Sequence, residues 1–111
     1  MPVVIETDVK KVVQRGEGWT ETTLADSQLI DGLGMVARRW SFKPGSRTHE
    51  IHHGDHEEML YVISGSGIAR LGNQELSLEP ETLIWLEPGD RYFIQAGAED
   101  LEILQGYAPG S

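Results

Sequence analysis

Short runs of β-forming residues, cut off by glycine or proline at roughly ten-residue intervals, recur along most of this chain. In "VARRWSF" (36–42), Val36, Arg38, Trp40 and Phe42 share one face of a strand, and Ala37, Arg39 and Ser41 share the other. "MLYVI" (59–63) is a continuous apolar run, as a strand buried on both sides would be. "ELSLE" alternates, and "TLIWL", "YFI" and "LEIL" give three further short runs. Pro44-Gly45, Gly65-Ser66-Gly67, Gly72-Asn73, Pro88-Gly89-Asp90 and Gly97 supply the turns between them. The cadence predicts an all-β sandwich or barrel, with at most a turn or two of helix over residues 6–14. No fixed-period repeat, low-complexity stretch or linker interrupts it. One domain is therefore expected over residues 1–111, with 1–18 as an N-terminal strand or arm.

Composition narrows the chemistry. The chain has no cysteine, so disulfides and thiolate ligands are excluded, and any metal must be held by His, Asp, Glu, Tyr, backbone or water. Cysteine-free nucleophilic catalysis would have to use serine, but every histidine lies between positions 49 and 56, and no triad pattern surrounds them. The net charge of −9 is unevenly placed: residues 1–47 carry seven basic and six acidic residues, and 48–111 carry two basic and twelve acidic ones. Such a surface repels nucleic-acid phosphates and anionic lipids, so neither nucleic acid nor membrane is an expected partner. "MPVVIETDVKK" lacks the basic start and long apolar stretch of a secretion signal, and no apolar run is long enough to span a bilayer. A cytoplasmic location is the expectation.

"THEIHHGDHEE" (48–58) holds all four histidines. On a regular strand from about Arg47 to His53, residues 49, 51 and 53 face one way and 48, 50 and 52 the other. A turn at Gly54-Asp55 then leads into a strand opening at Glu58. If the two strands pair, His53 and Glu58 lie close together, with His49 two residues deeper on the same face. His52 points away unless a bulge re-aims it. His56 and Glu57 fall in the turn.

"PGSRTHEIHHGDHEEMLYVISGSG" resembles the first motif of the cupins, small jelly-roll β-barrels. Gly45, His53, Glu58 and Gly65 match that motif's first glycine, second histidine, glutamate and last glycine, while Ile51 stands at the first histidine. "PETLIWLEPGDRYFIQAG" resembles the second motif. Gly89 matches its Pro-x-Gly glycine. Glu81 and Glu87 replace its first glycine and its proline, Tyr92 its histidine and Ala96 its asparagine. The resemblance implies a jelly-roll barrel with an interior pocket. It also implies a mononuclear divalent metal (Fe, Mn, Ni, Cu or Zn) held by His53 and Glu58, with His49 or Tyr92 completing the set. Homodimers are implied too, with the strand-like residues 1–6 adding to a partner's sheet edge.

Two readings of function through the barrel interior stay open, beside a third in which the chain is an accessory protein whose outer sheet makes the contacts that matter. In one, the chain is a metal-dependent dioxygenase, isomerase or lyase acting on a small polar organic molecule, with Tyr92 as ligand or as general acid/base. In the other, it is a metal-free barrel that binds or senses a small ligand without catalysis. Trp40 and Trp85 are expected in the core or pocket wall. Arg38 is expected to reach solvent at a barrel end; inside, it would need a carboxylate or an anionic ligand.

Overall fold

The computed structural model describes residues 12–25, 36–52 and 57–107. They form β1 (Val12–Gly16), β2 (Trp19–Ala25), β3 (Val36–Phe42), β4 (Ile51–His52), β5 (Glu58–Ser64), β6 (Gly67–Leu71), β7 (Gln74–Leu78), β8 (Leu83–Leu86), β9 (Arg91–Ala96) and β10 (Leu101–Tyr107). A six-stranded sheet runs β1-β2-β3-β10-β5-β8 and a four-stranded one β4-β9-β6-β7, with every pairing antiparallel. The chain is all-β on the jelly-roll plan, as expected. No helix among the described residues is long and apolar enough to cross a membrane.

One buried cluster joins the inner faces of both sheets. Trp40, Phe42, Leu60 and Ile103 come from the larger sheet, and Leu78 and Ile94 from the smaller. Trp19 stacks on Phe42 at 5.1 Å and meets Trp40 edge-on at 5.7 Å, which closes one end. The alternation read in β3 holds, since Val36, Trp40 and Phe42 are all buried.

Two readings need correction. β5 is buried on one face only: Leu60 and Val62 point inward, Met59 and Tyr61 are half-buried, and Ile63 is exposed. Trp85 is not core but 54% exposed, beside exposed Leu83. The cause is β8's place at the edge of the six-stranded sheet, where no described element covers the outer face. Of the helical turn expected over residues 6–14, the described part, from Val12 onward, is strand, and the rest lies outside the described residues.

Turn backbone explains two of the motif glycines. Gly65 sits at φ 89°, and a Cβ there would run into the Asp100 carbonyl. Gly89, at φ 87°, turns the chain from β8 into β9, where the Glu87 N–H donates to Asp90 Oδ2 at 2.9 Å.

Candidate functional site

The expected hairpin between the histidine strand and the Glu58 strand does not form. β4 pairs with β9 in the smaller sheet, whereas β5 lies between β10 and β8 in the larger. The stretch before β4 is also irregular. Arg47 bridges Gln95 and Ile51 pairs with Tyr92, so four steps along one strand oppose three along the other. Thr48 takes up part of the difference. It is buried, donates its N–H to the Ile94 carbonyl at 2.9 Å and accepts the Ile94 N–H on Oγ1 at 3.1 Å. The extra residue breaks the two-residue period, as a bulge does. Thr48 and Ile51 therefore turn toward the core, while His49 and Glu50 are exposed. His49 consequently does not share the inward face of Ile51. His52 lies opposite Arg91, and its side chain, like the whole of His53 and His56, falls outside the described residues.

Glu58 and Tyr92 do come together, across the barrel rather than across a hairpin. Glu58 is 4% exposed on the inner face of β5, and Tyr92 2% exposed on the inner face of β9. The Tyr92 hydroxyl faces the Glu58 carboxylate, which acts on it as a charge and as a hydrogen-bond acceptor. Burial raises the Tyr92 pKa well above its ordinary value, and the carboxylates of Glu58 and Glu21 push it further the same way. Tyr92 is thus a neutral O–H donor.

Around this pair the six-stranded sheet carries a buried polar row that the sequence reading largely missed. Glu21 on β2 is the hub. Its Oε1 accepts from Arg15 Nε and Nη2 at 3.2 and 3.1 Å, and its Oε2 accepts from Trp40 Nε1 at 2.9 Å. Arg38 lies 3.7 Å from the same Oε1, donates from Nη1 to the Tyr107 hydroxyl at 2.9 Å and sits over the Tyr107 ring. Register places Gln105 beside Arg38 and Leu60, and Tyr107 beside Glu58. Arg38 is therefore not simply a solvent-reaching end residue: its side chain is 25% exposed and its charge is met by an internal carboxylate.

Among the described residues the cupin-type metal set is incomplete. Ile51 supplies no donor, Tyr92 is held protonated by its surroundings, and His49 is exposed. Among the described residues no group of three His, Asp or Glu side chains could hold an ion. Of the described residues at ligand positions of the motifs, Glu58 and Tyr92 are buried and only Glu58 keeps the motif's own ligand type, so these residues do not by themselves make a mononuclear site.

Comparison with known proteins agrees with the fold. No curated protein sequence matches the chain. KdgF from Halomonas sp. superposes with a TM-score of 0.83 at 15% identity, over 99% of this chain and 96% of its own. The polyketide cyclase RemF from Streptomyces resistomycificus gives 0.81 at 22% identity, over 97% and 79%. Ectoine synthase from P. lautus gives 0.83 at 19%, over 98% and 78%. The model of the family described as "Cupin domain" matches residues 38–105, from the β3 arginine to the β10 glutamine. The chain belongs to the cupin domain family.

Proposed function

We propose that the barrel interior binds a small polar organic molecule and moves a proton on it, as an isomerase or lyase does. The observation that carries this reading is the buried pairing of Tyr92 with Glu58 on the inner faces of the two sheets. A substrate oxygen entering between them takes the Tyr92 O–H and leaves the Glu58 carboxylate as a base toward a neighbouring C–H. Tyr92 then stabilises the negative charge that develops on that oxygen. The enzymes of this fold named above, the polyketide cyclase and ectoine synthase, support a catalytic use of such an interior.

The test starts with small carboxylates, phenols and sugars, screened by ligand-observed NMR. Binders are then incubated in D₂O and followed for deuterium entering their C–H positions. Exchange that Glu58→Gln abolishes, and that Tyr92→Phe slows roughly hundredfold, is the expected result. Binding without exchange would move the assignment to a metal-free binding barrel.

A second reading, a divalent metal held by His53 and Glu58, draws on Glu58 being buried at the motif's glutamate position. Elemental analysis of tag-free protein tests it, with His53→Ala and Glu58→Ala as controls. Stoichiometric metal lost in both variants supports it. An empty wild type after reconstitution with divalent ions removes it. We further propose a cytoplasmic homodimer joined through residues 1–6, on the cysteine-free composition and the strand-like start. A monomeric mass by light scattering at micromolar concentration would contradict the dimer.

A further inference from the structure

Two groups in the polar row are left with unused hydrogen-bonding capacity. Gln105 is 6% exposed on the inner face of β10, and among the described residues nothing donates to its Oε1. Arg38 Nε is buried and makes no hydrogen bond there either; it stands 3.7 Å from Glu21 Oε1. That distance is an ion pair but too long for a hydrogen bond. The two residues are direct cross-strand neighbours on β3 and β10, so their side chains stand about 5 Å apart at the base. A buried acceptor and a buried cationic donor left open side by side each cost free energy unless something fills them.

Charge decides what fits. Glu21 already takes three hydrogen bonds from Arg15 and Trp40, so it compensates Arg38 only in part. Arg15, Arg38 and Glu21 together carry one net positive charge. Glu58 lies next along the row, its cross-strand neighbour Tyr107 being the group that Arg38 Nη1 contacts. A single negative charge is thus matched at Arg38, and a dianion would meet repulsion from Glu58. Gln105 Oε1 can only accept, so the ligand atom facing it must carry a hydrogen.

We propose that Arg38 and Gln105 form a recognition subsite for a small carboxylate with a hydrogen-bond donor, hydroxyl or ammonium, on the adjacent carbon. The carboxylate accepts from the open Nε edge of the Arg38 guanidinium, and the hydroxyl or ammonium donates to Gln105 Oε1. This rests on the reading that the interior binds a small molecule, and it names the substrate class. The ligand is thereby held with its substituted carbon toward the Glu58–Tyr92 pair.

The test is a set of affinities measured by NMR titration on the full chain at millimolar ligand, with lactate, alanine, propionate and lactamide as probes. Lactate or alanine should bind roughly tenfold or more tighter than propionate, which lacks the donor, and than lactamide, which lacks the charge. Whichever of lactate and alanine binds tighter identifies the donor as hydroxyl or ammonium. Arg38→Met should remove the preference over lactamide, and Gln105→Met the preference over propionate. Arg38→Lys keeps the charge without the planar fork, and should recover part of the first preference in a protein whose cluster charge is intact. Equal binding of all four probes to the wild type, or preferences unchanged in both Met variants, would overturn the subsite and leave the interior-binding reading standing. No binding of any probe, with phenols or sugars binding instead at Glu58 and Tyr92, would also overturn the subsite alone. No binding by any class of molecule would remove both.

Discussion

Glu81 is the one described non-glycine residue with a left-handed backbone, at φ 73°, in the turn leading to β8. Its N–H donates to the Val62 carbonyl at 2.9 Å, so the turn cannot relax without giving up that bond. A side chain in this conformation costs about 1 kcal/mol, and glycine removes the clash at some expense in unfolded-chain entropy. Glu81→Gly should therefore stabilise the protein by up to roughly 0.5 kcal/mol in urea unfolding. Position 81 was legible as a glycine position from motif spacing, but the strain that glutamate creates there is visible only in the backbone. Tyr92 carries the second prediction at this scale. A phenol whose pKa is raised by folding favours the folded state below the unfolded value of about 10, and that contribution is lost as pH rises past it. Stability should fall above about pH 10 more steeply in the wild type than in Tyr92→Phe, as read by denaturant midpoints across that range.

At the scale of elements, strands with an apolar inner face were readable and those with a polar one were not. β3 announced itself because Trp40 and Phe42 recur at every second position. β2, "WTETTLA", buries Trp19, Glu21 and Thr23, so its inward face has no apolar period to find. The inner glutamate of β2 is what allows the β3 arginine inside, so missing one left the other looking like a solvent-facing end residue. The same limit applies to the histidine segment: the bulge before β4 comes from pairing with β9, a contact between residues more than 40 apart. Strand alternation alone could not supply it. Because Glu21 holds the Trp40 indole as well as two arginines, Glu21→Ala should destabilise by about 3 kcal/mol, leaving a buried N–H and an uncompensated guanidinium. Thermal and urea unfolding would measure it, and a loss under about 0.5 kcal/mol would contradict a buried hub.

For the whole molecule, the sheets divide the three tryptophans into two classes: Trp19 and Trp40 inside, Trp85 outside at the β8 edge. Acrylamide should quench one tryptophan component strongly, and Trp85→Phe should abolish that component while leaving the rest of the emission in place. The proposed function rests on the polar end, where Glu58 and Tyr92 meet across the two sheets and Glu21, Arg38 and Gln105 extend the row. Tyrosine makes this end directly observable, because the chain has only three and they occupy different environments. Tyr92 lies in the core, Tyr107 lies over Arg38, and Tyr61 lies on the outer side of β5. The most direct measurement is a titration of protein carrying ¹³Cζ-tyrosine with the small molecules that bind. A saturable shift of the Tyr92 signal, lost in Glu58→Gln and larger than that of Tyr61, is the predicted result. Saturable shifts confined to Tyr61, with Tyr92 unmoved by every binder, would contradict an interior ligand site.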